Sequence, residues 1–92
     1  MYVTIRSYSE GTLADVLVER EGEIKDVIGG IDGFRAYYAV RTGGGTTTIS
    51  VFDDQAGAEA STAAAATYIA ENLADASFGA PQVSTGEVAV SF

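Results

Sequence analysis

The chain has 92 residues and a net charge of −8, from thirteen acidic against five basic side chains, with no cysteine, histidine or tryptophan. Those zeros exclude a Ser–His–Asp triad, a thiol nucleophile and histidine ligation of a metal or haem. The acidity argues against nucleic-acid phosphate or an anionic membrane as partner. A chain this short buries only ~60–65% of the surface its unfolded form exposes. With no disulfide and no Cys/His zinc site, a second copy of the chain is the expected source of further buried area.

Tyr2–Tyr8 alternates Val3 and Ile5 against Tyr2, Thr4, Arg6 and Tyr8, the period of a strand. Ser9-Glu10-Gly11-Thr12 ends it. Thr12, with Asp15 three residues later, caps a helix on which Leu13, Val16, Leu17, Ile24, Val27 and Ile28 recur at helical spacing. Gly29-Gly30 stops that helix through a left-handed C′ residue, and Gly22 inside it costs ~1 kcal/mol against alanine. Phe34–Arg41 and Thr46–Phe52 form a hairpin around Thr42-Gly43-Gly44-Gly45, with Arg41 opposite Thr46. Asp53 or Asp54 caps a second helix running through Leu73 to about Ala76. Ser77–Thr85 reads as a loop and Glu87–Phe92 as the last strand. No run is long enough for a membrane span, no leader is visible, and the cytoplasm is the expected compartment.

The order β-α-β-β-α-β, with right-handed crossovers, gives a single α+β domain over residues 1–92. It is the ferredoxin-like fold, a four-stranded antiparallel sheet with two helices on one face. Placing apolar residues under the helices puts Val3, Ile5, Phe34, Ala36, Tyr38, Val40, Ile49, Val51, Val88, Val90 and Phe92 there. Tyr2, Thr4, Arg6, Tyr8, Arg35, Tyr37, Ala39, Ser50, Phe52, Glu87 and Ala89 fall on the opposite face, whose aromatic and arginine content is that of an interface. A homodimer through that face follows, with Tyr2, Arg6, Tyr8, Arg35, Tyr37, Phe52 and Glu87 as its interface candidates.

The element order, the segment Gly30-Ile31-Asp32-Gly33-Phe34-Arg35-Ala36-Tyr37-Tyr38, and the segment Ser50-Val51-Phe52-Asp53-Asp54-Gln55-Ala56-Gly57-Ala58-Glu59-Ala60-Ser61 resemble the dimeric α/β-barrel superfamily. The nearest pattern within it is that of the antibiotic-biosynthesis-monooxygenase-type domains. The resemblance covers nearly the whole chain and implies a homodimer whose sheets pack face to face, with a pocket between each sheet and its own helices. Cofactor-free oxygenases of that family are associated with Asn, Trp and Tyr in the pocket, and its haem-degrading members with Asn, Trp and His. This chain has neither Trp nor His, and its one asparagine, Asn72, stands late in the second helix, so only tyrosine carries over.

Tyr38 and Tyr68 are the pocket candidates: a phenol there orients a substrate hydroxyl or carries a proton, or is a core aromatic whose hydroxyl reaches water. Arg6 and Arg35 among tyrosines either grip a carboxylate or phenolate or form an ion-pair network inside a dimer, with Arg6 beside Glu87. Asp53, Asp54 and Glu59 are better explained by a helix N-terminus than by a cation site. No cofactor is expected. The leading expectation is a homodimeric protein that is non-catalytic or binds a small apolar or aromatic molecule. The alternatives are a cofactor-independent monooxygenase or isomerase acting on an aromatic or polyketide-like molecule, and a protein-interaction module.

Overall fold

The alternation over Tyr2–Tyr8 forms strand β1 in the computed structural model, which describes residues 1–73 and 78–92. The first helical stretch is divided into α1 (Thr12–Glu19) and α2 (Glu21–Gly29). Arg20, at φ −111° and ψ 27°, separates them. α1 buries Leu13 and Ala14, and α2 buries Ile24 and Ile28. Val18 through Glu23 bury nothing that would hold the chain helical across Arg20. α2 stops at Gly30 without a left-handed residue, for Gly30 has φ −80°. What Gly30 supplies is room, since a Cβ there would lie 2.7 Å from the Asp26 carbonyl oxygen.

Strands β2 (Phe34–Thr42) and β3 (Gly45–Phe52) form the hairpin with Arg41 opposite Thr46. The register holds to Ala36 opposite Val51, and a bulge at Arg35 then brings Phe34 opposite Phe52. Helix α3 (Gln55–Asn72) is capped by Asp54, whose Oδ1 accepts the Gly57 N–H at 3.0 Å. Replacing Asp54 by alanine is expected to cost ~1 kcal/mol and lower Tm by roughly 4–8 °C, with asparagine restoring most of it. Thermal unfolding followed by circular dichroism checks both variants.

The last strand, β4, is Gln82–Glu87 and not Glu87–Phe92. It runs antiparallel to β1, from Ser7 opposite Gln82 to Tyr2 opposite Glu87. Pro81, which suggested a loop, sits just before the strand, where its missing N–H costs no ladder bond. Past the strand, Val88 donates to the Met1 carbonyl at 2.9 Å, and Val90 and Phe92 are exposed. The predicted helix end at Ala76 and loop start at Ser77 lie outside the described residues.

The sheet order is β2-β3-β1-β4 with every pairing antiparallel, and α1, α2 and α3 cover one face. The architecture is ferredoxin-like α+β, with the first helix in two pieces. Among the described residues no helix is long and apolar enough to cross a membrane.

From the bulge onward along β2, and on β1 and β3, the two faces are the reverse of the sequence expectation, while Phe34, before the bulge, lies on the helix side as expected. Thr4, Arg6, Tyr8, Thr46, Thr48, Ser50 and Phe52 lie buried beneath the helices, with Tyr2 and Tyr37 half-buried beside them. Val3, Ile5, Ala36, Tyr38, Val40, Ile49 and Val51 form the face that no helix covers, with Tyr38 at 58% exposure. Hydrogen bonding makes the polar face stable inside. Thr4 Oγ1 donates to the Ala58 carbonyl at 3.1 Å; Thr46 Oγ1 donates to the Glu10 carbonyl at 2.9 Å and accepts the Ala14 N–H at 3.1 Å. Each bond ties a helix or its leading turn to the sheet, at low cost because the polar groups are satisfied.

Candidate functional site

The site begins with Arg6, in the middle of β1 and 1% exposed. β1 lies between β3 and β4, so Arg6 has Thr48 on one side and Val83 on the other. α3 crosses above and supplies two hydroxyls at adjacent positions. Arg6 Nη1 donates to Ser61 Oγ at 3.1 Å and to Thr62 Oγ1 at 3.2 Å, and Nη2 donates to Ser50 Oγ on β3 at 2.8 Å. Ser61 donates its own proton to the Ala58 carbonyl at 2.6 Å, which leaves its oxygen free to accept. Arg6 Nε is buried with no partner among the described residues, and so is Thr48 Oγ1.

The other three arginines each pair with a carboxylate on the outside: Arg20 with Glu23, Arg35 with Asp53, and Arg41 with Asp15. Arg6 has none among the described residues, and three hydroxyls stand where a carboxylate would. Burial accordingly pulls its pKa down, with Tyr8 and Tyr37 acting in the opposite direction. Burial also raises the pKa of both tyrosines, more than the Arg6 charge lowers them. Tyr8 and Tyr37 therefore stay protonated as hydrogen-bond donors.

A cavity of about 30 Å³, room for a water or two, lies between the sheet and the helices. Arg6, Tyr8, Tyr37, Thr48 and Tyr68 bring polar groups to its wall, and Leu13, Ile24 and Ile28 are among its apolar lining. It shares Arg6, Tyr8 and Ile69 with an open groove of about 550 Å³ between α3 and β4. Thr62, Ala66, Ala70, Phe78, Pro81 and Val83 line that groove. On the side of β2 a second groove, about 570 Å³, shares Tyr37 and Ile24 with the cavity. The cavity thus shares wall residues with a groove on each side.

Tyr68 is buried at the cavity wall, its hydroxyl donating to Glu23 Oε2 at 3.1 Å. Tyr38, expected beside it, is on the uncovered face. Tyr2, Arg6, Tyr8, Tyr37 and Phe52, expected on the open face, lie on the helix side. Arg35 and Glu87 are exposed, Arg35 on its bulge with Asp53 and Glu87 at the end of β4 opposite Tyr2. Arg6 and Glu87 do not pair, because Arg6 stands opposite Val83. Asp54 caps α3 and Glu59 accepts from Gln55. Ser50, Ser61 and Thr62 were not singled out from sequence; the signal for Ser50 was the run Thr46, Thr48, Ser50 at one strand parity, a row of hydroxyls facing the Arg6 side.

No protein-family model and no curated protein matches the sequence. Solved structures do match the fold. A monooxygenase from the gene ActVA-Orf6 of Streptomyces coelicolor, solved in complex with nanaomycin D, superposes with a TM-score of 0.73 at 14% identity. That match covers 99% of this chain and 89% of the other. NE2512, a protein of unknown function from Nitrosomonas europaea, gives a TM-score of 0.68 at 18% identity, covering 99% of this chain and 90% of its own. A dimeric ferredoxin-like protein from an uncultured marine organism gives 0.63 at 9% identity, covering 99% and 94%. The chain shares the ferredoxin-like fold of these monooxygenase-like and uncharacterised proteins.

Proposed function

We propose that this chain is a homodimeric small-molecule-binding protein whose ligand, a small apolar or aromatic molecule, enters the layer between sheet and helices. The observation that carries this is the open groove of about 550 Å³, with an apolar wall from α3, Phe78, Pro81 and Val83, which shares Arg6 and Tyr8 with the cavity between sheet and helices. Binding without catalysis fits the groups present. The two tyrosines nearest Arg6 have raised pKa values and stay protonated at neutral pH, so neither offers a phenolate base, and the chain has no histidine or tryptophan. The dimer is supported by the uncovered sheet face, where Val3, Ile5, Ile49, Val51 and Val40 adjoin, an apolar surface of the kind that marks association. A fold neighbour is itself a dimeric ferredoxin-like protein.

Saturating 2-naphthol is expected to raise Tm, because a ligand that binds only the folded state stabilises it by mass action. Ala70→Trp fills the groove from the exposed side of α3 and is expected to abolish that shift while leaving the unliganded Tm within about 4 °C. A shift unchanged by the tryptophan would place binding elsewhere and overturn the assignment.

A further inference from the structure

A guanidinium carries five N–H donors in a fixed plane. In Arg6, Nη1 spends both of its donors on Ser61 and Thr62, and Nη2 spends one on Ser50. The two that remain are the Nε hydrogen and one of the two on Nη2. Two parallel N–H groups on one edge match the two oxygens of a carboxylate. The Nε donor is buried and unpartnered, and Arg6 is 1% exposed. An orphaned donor on a buried cation costs more than an ordinary unmade hydrogen bond. Arg6 also lines both the cavity and the groove.

We propose that Arg6 is the recognition residue for a carboxylate, so that the natural ligand is a small apolar monocarboxylate. Its anionic end sits on the Nε–Nη2 edge of Arg6, and its apolar body lies along Ala66, Ala70, Pro81 and Val83. The Tyr8 and Tyr37 hydroxyls, held protonated, supply further donors to the same end. The three hydroxyls fix the guanidinium in place without neutralising it, which keeps its charge for the ligand; a carboxylate in their position would cancel it. This rests on the groove being a ligand site, and it adds the ligand's charge and the residue that reads it.

The test compares 2-naphthoate with methyl 2-naphthoate by ligand-observed NMR titration of the intact protein at neutral pH. Naphthoate is expected to bind at least tenfold more tightly than the ester. In Arg6→Met the two bind equally. Arg6→Lys keeps the charge but not the fork, and retains only part of the preference. Equal binding of acid and ester to the unmodified protein refutes the carboxylate assignment and leaves the groove as a ligand site. Binding of neither refutes both. The acid–ester comparison in the unmodified chain decides the matter even where Arg6→Met does not fold. Ser61→Ala removes a hydroxyl from the guanidinium at a position that lines neither cavity nor groove. It is expected to weaken naphthoate binding several-fold and leave ester binding unchanged; equal weakening of both would reduce Arg6 and its hydroxyls to a structural role.

Discussion

Glutamate in place of Ile5 is expected to leave a folded monomer, whereas glutamate in place of Tyr37 is expected to unfold the chain. Ile5 is central on the uncovered face, opposite Ile49 on β3 and Ser84 on β4, and 37% exposed. In a single chain a glutamate there meets water, and the loss of strand preference is worth no more than ~1 kcal/mol. Between two stacked sheets the same carboxylate is desolvated without a partner, at a cost of several kcal/mol. Three of those kcal/mol weaken association by roughly 100-fold. Tyr37 stands opposite Ser50 and lines the cavity beneath the helices, so its replacement puts a carboxylate into the monomer's own interior. Sedimentation at low micromolar concentration, with far-ultraviolet circular dichroism on the same samples, separates the two effects. The unmodified chain is expected to sediment as a dimer and Ile5→Glu as a monomer with an unchanged spectrum. An unmodified chain that is monomeric, or an Ile5→Glu that remains dimeric, would remove the uncovered face as the interface.

The contrast between those substitutions also shows what was legible in the sequence. The hairpin register was, because Gly43-Gly44-Gly45 leaves one short turn and fixes Arg41 opposite Thr46. Sheet order and helix side followed from connectivity. Which strand parity points inward did not. β1 alternates Val3 and Ile5 with Thr4 and Arg6, and the usual rule buries the aliphatic set. Here the polar set is buried because its partners arrive from far along the chain: Ala58 to Thr4, Ser61 and Thr62 to Arg6. A hydroxyl on an alanine-rich helix gives no local sign that it will meet an arginine more than fifty residues away. Strand period two makes such an error complete, since a wrong parity moves every side chain to the other face. The face on which Tyr68 lies depends on helix spacing, whereas that of Tyr38 depends on strand parity. β4 was hidden by Gly79 and Pro81, although an edge strand tolerates proline just before its start.

Phe52→Ala is expected to cost ~3–5 kcal/mol, a large share of the 5–15 kcal/mol typical of a whole domain. Phe52 ends β3 on the helix side and is fully buried. Phe34 meets it edge to face, with ring centroids 5.8 Å apart. Truncation removes that contact and leaves a cavity at the point where β3 turns into the α3 cap. The other wall of this space is Gly57, where a Cβ would lie 2.8 Å from Phe52 Cδ1 and 3.1 Å from the Asp32 carbonyl oxygen. Gly57→Ala alone gains about 1 kcal/mol of helix preference but forces the ring to move, at ~1–3 kcal/mol, so a net loss is expected. With Phe52→Leu in the background the ring carbon is gone and the same alanine costs less. Urea unfolding of the two single variants and the double should therefore show the double destabilised by less than the sum, by ~0.5–1 kcal/mol or more. Strict additivity would mean that the ring edge of Phe52 is not what requires glycine at position 57. The Phe52 Cβ and the Asp32 carbonyl oxygen, each 3.1 Å from the added Cβ and both kept in the leucine background, would then be the controlling contacts, so that backbone approach and not the aromatic ring sets how near α3 comes to the sheet.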